Sequence, residues 1–148
     1  MFIFNHLCGV ILHVQGRGIA GGRARGPLLV SPAPISFLSG VDPETGVVLE
    51  KGHPLQGVSI AGTVLVFPFG KGSTVGSYVL YALSRNGHAP AAIVNTEAEA
   101  IIATGAIIGG IPMVDRVGIP LDRLKNGTMA VVDGDTGGLD LEGSLPVS

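Results

Sequence analysis

The chain of 148 residues contains one cysteine, no tryptophan and few charged side chains, which make up 14% of the sequence. Its single thiol, Cys8, excludes an internal disulfide. A single thiol also excludes an iron–sulfur cluster held by this chain alone, because such a cluster takes about three or four thiolates. We therefore expect a reducing, cytoplasmic setting and no metal site in this chain.

Positive charge is also scarce and scattered. The 9 lysines and arginines stand against 11 acidic residues, so the formal net charge is -2. Isolated basic residues form no stripe that could follow a phosphate backbone, so nucleic acid is not an expected partner. The apolar start, Met1–Leu12, lacks a basic leader and is too short to cross a bilayer. We expect no membrane contact and interpret residues 1–15 as an extension or an edge strand.

Glycine and proline are abundant instead, with 24 and 10 residues, and 46% of the side chains are hydrophobic. This composition predicts one turn-rich but well-packed domain. Four short apolar runs bounded by glycine and proline predict strands in the first third: Val10–Val14, Leu28–Val30, Ile35–Leu38 and Val47–Leu49. The longer run Val58–Phe67 is rich in β-branched residues and predicts a strand covered on both faces.

The second half alternates strand and helix patterns. Apolar spacing with Gly87 as the closing glycine predicts a helix over Ser73–Asn86, and Thr96–Thr104, which opens in the order of a capping box, predicts a second helix. Together with strands at Ala91–Val94 and Ile111–Val114, these helices predict a parallel βαβαβ unit after a β-rich N-terminal half. The predicted fold class is α/β. A helical turn, a strand and a polar tail complete the prediction: Leu121–Lys125, Met129–Asp133 and Gly134–Ser148.

One turn carries most of the polar chemistry. Phe67–Ser77 (FPFGKGSTVGS) places three glycines, a lysine and three hydroxyls between a buried strand and a helix start, where amides and the helix dipole favour an anion. A Walker A loop is excluded, because Leu65 stands where that pattern needs glycine and Gly72 where it needs a hydroxyl. Ser73 is the candidate functional hydroxyl, although the simpler interpretation makes it only a helix cap. The candidate ligand-binding residues beside it are Lys71, Gly72, Thr74 and Ser77.

A second polar loop, Ser39–Gly46 (SGVDPETG), has the composition of a tight turn. Its functional interpretation is contact with a ligand or partner through Ser39, Gly40 and Asp42. Gly16–Gly21 matches a dinucleotide-binding glycine pattern, but the glycine and prolines that follow forbid the required helix, so we interpret the match as accidental. The histidines lie in separate segments without metal-ligand spacing: His6, His13, His53 and His88.

Three segments together, Ser39–Gly46, Val66–Leu80 (VFPFGKGSTVGSYVL) and Ala91–Asn95 (AAIVN), resemble the aconitase X small-subunit family. The resemblance extends from Arg17 to Val132. The aspartate loop combined with the lysine–glycine–serine turn makes this resemblance specific. It implies the swivelling β/β/α domain of aconitases over residues 16–134, followed by a polar tail over residues 135–148.

The resemblance also implies a partner and an activity. Small subunits of this family pair with a large subunit that carries the iron–sulfur cluster, which agrees with the lone cysteine. The implied activity is that of a heteromeric hydro-lyase of isoprenoid biosynthesis, which dehydrates the phosphorylated hydroxy acid (R)-5-phosphomevalonate to trans-anhydromevalonate 5-phosphate in a modified mevalonate pathway. Ser73 would accept the proton while cluster iron withdraws the hydroxyl. Lys71, nearby amides and the helix dipole would stabilise the Ser73 alkoxide.

Three alternatives stay open at this point. A related branch of the family dehydrates hydroxyproline. The phosphohistidine domain of phosphoenolpyruvate-using enzymes shares the swivelling architecture, but Thr96–Thr104 lacks the histidine that would carry the phosphoryl group. The third alternative is a non-catalytic scaffold for the large subunit. Wherever the chain pairs with a large subunit, we expect an exposed apolar patch around Ser73.

Overall fold

A computed structural model describes residues 9–144, in which eight strands form one sheet and two α-helices pack on it. In chain order the strands are β1 (Gly9–Gln15), β2 (Arg17–Ala20), β3 (Arg23–Val30), β4 (Val64–Phe67), β5 (Ala92–Asn95), β6 (Met113–Asp115), β7 (Met129–Asp133) and β8 (Gly138–Ser144). The helices are α1 (Gly76–Arg85) and α2 (Ala100–Gly109), and Leu121–Arg123 forms a 3₁₀ turn.

The centre of the sheet is parallel. Strands β3, β4, β5 and β6 lie side by side in that order, and α1 and α2 form the crossovers from β4 to β5 and from β5 to β6. Every residue of β4, β5 and β6 is buried, because these strands are covered on both faces. The predicted βαβαβ unit and the α/β class are confirmed.

The outer strands are antiparallel and carry the chain around the core. The strand order is β1-β8-β7-β3-β4-β5-β6-β2, and β3 belongs to both parts, because Arg23–Pro27 pairs with β7 and Leu28–Val30 with β4. Only Gly16 separates β1 from β2, although these two strands stand at opposite ends of the order. The sheet therefore curls until its two ends meet.

Glycines make this closure possible. A Cβ added at Gly18 would overlap the carbonyl oxygen of Gly134, and one added at Gly134 would overlap the carbonyl oxygen of Ala20. The amide of Gly16 donates to the carbonyl of Gly137 across the same contact, at 2.8 Å. The glycine pattern of residues 16–21 thus serves close backbone packing, not a dinucleotide.

Side chains on the two faces of the sheet form two hydrophobic clusters. Leu65, Phe67 and Ile93 pack on the helix side with Leu80 of α1 and Ile102 of α2. The alternate residues of the same strands pack on the other face against the antiparallel strands: Val64, Val66, Val94, Val132 and Leu139. This alternation follows from the two-residue period of a strand.

The prediction is wrong for two strands, and a third strand is shorter than predicted. Ile35–Leu38 and Val47–Leu49 form only isolated bridges. Within Val58–Phe67, Gly62 adopts a φ of 71° and turns the chain, so only the last four residues are a strand. Prolines and left-handed glycines such as Gly46 and Gly57 interrupt pairing throughout this part of the chain.

The ends of the described chain also differ from the prediction. The predicted polar tail contains β8, which pairs with both β1 and β7 and buries Leu139. The unpredicted strand β2 lies within the glycine pattern and pairs with β6. Strand β1 takes an edge position, one of the two interpretations of the N-terminal run, and Met1–Cys8 lie outside the described residues.

Both helices begin later than predicted. Helix α1 starts at Gly76, and Gly87 follows it with a φ of 77°, as a closing glycine does. Helix α2 starts at Ala100, because the Glu99 carboxylate accepts hydrogen bonds from the first free amides at 2.9 and 2.8 Å. It continues through Gly105, where a Cβ would lie 2.6 Å from Leu80 of the neighbouring helix.

Charged residues hold the carboxyl end of β6 against β2. The Arg17 guanidinium donates two hydrogen bonds to the buried Asp115 carboxylate, at 2.9 and 2.8 Å, and the Ala98 amide donates a third at 2.7 Å. Beside them, Arg116 donates two hydrogen bonds to Glu97, at 3.0 and 2.7 Å. The network ties the loop after β5 to both of these strands.

Burial alone raises the pKa of Asp115, but hydrogen bonds from Arg17 and Ala98 and the nearby positive charge of Arg116 outweigh burial. The pKa of this carboxyl therefore lies below its usual value. A carboxyl with a lowered pKa stabilises the fold fully above its unfolded pKa of about 3.9. This stabilisation is lost as the pH falls through the lower pKa of the folded state.

We expect Asp115→Asn to lower the free energy of unfolding at neutral pH by about 1–3 kcal/mol, because Arg17 loses its anionic acceptor. The difference from wild type should narrow as the pH falls below about 4, where the wild-type carboxylate protonates. Urea unfolding at neutral and acidic pH measures both effects, with the exposed Asp122→Asn as control. A difference that is constant across pH would contradict the proposed charge interaction.

We expect Gly18→Ala to destabilise the fold by about 1–3 kcal/mol, because the added methyl group enters the backbone contact with Gly134. Gly143→Ala is the matched control, since a Cβ at this strand glycine has nothing within 4 Å. Urea midpoints of the two variants measure the difference. Equal midpoints would show that β2 and the turn between β7 and β8 do not pack as closely as described.

Candidate functional site

Two loops leave the carboxyl ends of β3 and β4 and lie side by side, because these strands are parallel neighbours. The amide of Ile35 donates to the carbonyl of Phe69 at 3.3 Å, and the amide of Lys71 donates to the carbonyl of Ile35 at 3.0 Å. These bonds form a parallel bridge between Ile35 and Gly70. They hold the lysine–glycine–serine turn beside residues 36–40.

The two loops line an open cavity of about 310 Å³. Of the site residues expected from the sequence, the cavity brings together Ser39 and Gly40 with Lys71 and Gly72. Three further lining residues were not predicted: Ser36, Leu38 and Glu50. They lie in or beside apolar runs that resemble strands, so no local pattern marks them as site residues.

Small residues and an unusual backbone shape the cavity wall. Gly72 has a φ of 92°, and a Cβ there would lie 2.7 Å from the Ser36 hydroxyl oxygen. A Cβ at Gly40 would overlap the Ser36 carbonyl oxygen. Ser39 adopts a φ of 67°, which is uncommon outside glycine. The two loops thus approach more closely than larger residues would allow.

The backbone of the cavity offers hydrogen-bond donors. Within residues 9–144, the amides of Gly40 and Gly72, which line the cavity, donate to no protein acceptor. The amide of Ser73, beside the cavity, has no protein acceptor either. Amides that have no partner at the wall of a cavity are the donors that bound anions use. The cavity is therefore suited to an anionic group.

Lys71 carries the positive charge of the cavity. Its ammonium donates to the Glu50 carboxylate at 3.1 Å, and both side chains are partly exposed. We expected this ammonium beside the Ser73 hydroxyl, but the hydrogen bond that the structure shows for it goes to Glu50. The lysine side chain extends to Glu50, while Ser73 lies just outside the cavity lining.

The Ser73 side chain is exposed, and Thr74 beside it is also exposed. The Ser73 hydroxyl oxygen accepts a hydrogen bond from the Val75 amide at 3.1 Å, and within residues 9–144 no acceptor contacts its proton. Val75 is the N-cap of α1 and makes no side-chain cap, so Ser73 is not the cap residue of this helix. Its hydroxyl closes a local turn and remains accessible.

Ser77 and Asp42 have structural contacts in place of the ligand contacts that we considered. Ser77 is buried, and its hydroxyl donates to the Thr74 carbonyl at 2.9 Å. The Asp42 carboxylate accepts a hydrogen bond from the Glu44 amide at 2.9 Å and shapes its turn. Neither residue lines the cavity.

Apolar side chains surround this turn and the cavity. Leu38 and Phe69, on the two loops, are 38% and 47% exposed. Val75 and Tyr78, at the start of α1 and one helical turn apart, are 45% and 67% exposed. Several large exposed apolar side chains in adjoining segments are typical of a surface that binds another protein.

Other kinds of site find no support among residues 9–144. No group of three or more His, Cys, Asp or Glu side chains there could hold a metal ion, so these residues do not fit an iron–sulfur cluster. Cys8 lies outside the described residues. Helix α2 contains no histidine that could carry a phosphoryl group. In this part of the chain, no helix is both long and apolar enough to span a membrane.

Comparison with known proteins agrees with this architecture. The family model of the aconitase X swivel domain matches residues 13–141. A Methanocella arvoryzae protein named phosphomevalonate dehydratase small subunit is 58% identical, over 88% of this chain and 99% of its own length. A protein of the same name from Thermococcus onnurineus is 56% identical, over 88% and 99%. The crystal structure of Thermococcus kodakaraensis aconitase X in its holo-form matches with a TM-score of 0.84 and 55% identity, over 88% of this chain and 98% of that one.

The matched region includes the parallel unit, both helices and both loops that line the cavity. The relatives are more than 50% identical to this chain over nearly their whole length, so they share its sequence as well as its fold. The chain belongs to the aconitase X swivel-domain family.

Proposed function

We propose that this chain is the small subunit of a phosphomevalonate dehydratase and that, with a large subunit, it converts (R)-5-phosphomevalonate to trans-anhydromevalonate 5-phosphate and water. The observation that carries this proposal is the cavity in which Ser39, Gly40, Lys71 and Gly72 meet beside Ser73. It offers charge and amide donors to an anion next to an accessible hydroxyl. The 58% and 56% identical relatives, which bear the name of this activity, support the same function.

In this proposal the cavity binds one anionic end of the substrate, its carboxylate or its phosphate. The Lys71 ammonium supplies the charge, and the amides of Gly40 and Gly72 supply directed hydrogen bonds. Ser36 and Ser39 also line this cavity. An anion held there places the rest of the substrate next to Ser73, the residue that follows Gly72.

We assign proton removal to Ser73. As an alkoxide, its oxygen takes the proton from the carbon next to the substrate carboxylate, and the C–H electron pair forms the new double bond. The hydroxyl leaves the neighbouring carbon with the C–O electron pair and, with a proton, is released as water. Serine is a very weak acid, and each unit of pKa depression takes about 1.4 kcal/mol of alkoxide stabilisation. The Val75 amide, which donates to this oxygen at 3.1 Å, and the positive end of α1 supply part of it.

A large subunit completes the site in this proposal and holds the iron–sulfur cluster. The single cysteine of the chain and the lack of a metal-binding group among residues 9–144 support that division. The exposed side chains of Leu38, Phe69, Val75 and Tyr78 provide an apolar surface for the partner. Scarce cysteine also supports the cytoplasm as the compartment.

We expect Ser73→Ala to lower kcat of the reconstituted complex by about 10²–10⁴-fold, because the proton acceptor is lost, while the subunits still assemble. Anaerobic turnover of 5-phosphomevalonate measures activity, and size-exclusion chromatography measures assembly. Ser59→Ala is the control, since this exposed serine does not line the cavity. Its turnover should equal that of wild type.

Two outcomes would contradict parts of the proposal. Full activity of Ser73→Ala in an intact complex would remove its catalytic role and favour the scaffold alternative. A wild-type complex that dehydrates hydroxyproline, and leaves 5-phosphomevalonate unchanged, would assign the chain to the other branch of the family.

A further inference from the structure

We propose that Glu50 is a positioning residue that holds the Lys71 ammonium at the cavity and weakens anion binding there, so that an anionic ligand must replace the Glu50 carboxylate. This inference rests on the proposed function, because the anion in question is one end of the substrate. Nothing in the sequence marks Glu50, and only the fold brings it to the cavity.

The backbone around Glu50 is held firmly against the cavity. The amide of the preceding residue, Leu49, donates to the carbonyl of Gly40 at 2.8 Å, and the amide of His53 donates to the carbonyl of Glu50 at 3.2 Å. Buried His53 bonds the Pro34 carbonyl through Nε2 at 3.0 Å. These hydrogen bonds hold the backbone of Glu50 in place. Its carboxylate lies 3.1 Å from the Lys71 ammonium.

The charges of the cavity lining cancel. Among its seven residues, Lys71 is the cation and Glu50 the anion; the others are Ser36, Leu38, Ser39, Gly40 and Gly72. A ligand that enters therefore meets a carboxylate within a few ångströms, and the two negative charges repel. It must also compete for an ammonium that already has a partner.

The repulsion by Glu50 and the competition for Lys71 both lower the affinity of the cavity for an anion. An exposed ion pair is weak, and repulsion between partly solvated charges is modest, so together they reduce anion affinity by about three- to tenfold at low salt. The gain in return is orientation, because the salt bridge keeps the Lys71 ammonium at the cavity. When a ligand oxygen displaces the Glu50 carboxylate, the Lys71 ammonium binds the substrate in place of Glu50.

The test measures binding of inorganic phosphate to the full chain by NMR, from the amide shifts of Gly40 and Gly72. We expect Glu50→Gln to bind phosphate about three- to tenfold more tightly than wild type, with the gain shrinking at high salt. Glu44→Gln is the matched control, because it removes the same charge from an exposed residue outside the cavity. When Lys71→Met is already present, adding Glu50→Gln should increase the affinity for phosphate by a smaller factor, since no ammonium is released.

Kinetics of the complex provide the second measurement. Glu50→Gln should lower KM for 5-phosphomevalonate by a similar factor and change kcat much less, a split that general misfolding would not produce. Equal or weaker phosphate binding by Glu50→Gln than by wild type would overturn the inference. Tighter phosphate binding in a chain whose complex leaves 5-phosphomevalonate unchanged would instead overturn the proposed function and leave the role of Glu50 standing.

Discussion

Two backbone hydrogen bonds decide where the candidate site lies: the one from Ile35 to Phe69 and the one from Lys71 to Ile35. They join the loops that follow two neighbouring parallel strands, β3 and β4. Without them, the lysine–glycine–serine turn would stand alone at the start of a helix. With them, residues far apart in the chain share one cavity wall. The glycine at position 72 then allows the close approach of the two loops, because a Cβ there would lie 2.7 Å from the Ser36 hydroxyl oxygen.

The charges of the molecule are few, and several of them form salt bridges. Arg17 with Asp115 and Arg116 with Glu97 stabilise the carboxyl edge of the parallel strands. The pair of Lys71 with Glu50 has the same form but lies in a cavity with amide donors. An anionic ligand can replace the carboxylate in a salt bridge that lines a cavity, whereas the Asp115 carboxylate is buried at the contact of two strands. This difference in surroundings separates the Arg17–Asp115 pair from the pair to which we assign a role in binding.

The site is half of a catalytic centre in the chemistry that we propose. It offers a hydroxyl, an ammonium and amides, and residues 9–144 hold no group of three or more His, Cys, Asp or Glu side chains that could bind a metal. Its rim is apolar at Leu38, Phe69 and Val75. An arrangement in which donors and a base face outwards from an apolar rim is suited to closure by a partner, because closure removes water and strengthens every polar contact inside.

The sequence alone determined the parallel unit and the family. Long apolar runs between glycine turns require buried strands, and the lysine–glycine–serine turn with the aspartate loop is too specific to arise from composition. Local patterns failed where pairing depends on distant residues. Strand β8 looks polar because one of its faces meets solvent, and Ile35–Leu38 looks like a strand although prolines restrict it to one bridge. Only the tertiary structure placed Glu50 against Lys71, excluded Ser77 and Asp42 from the cavity, and closed the sheet through its glycines. These features depend on which segments meet in space, and no short stretch of sequence contains that information.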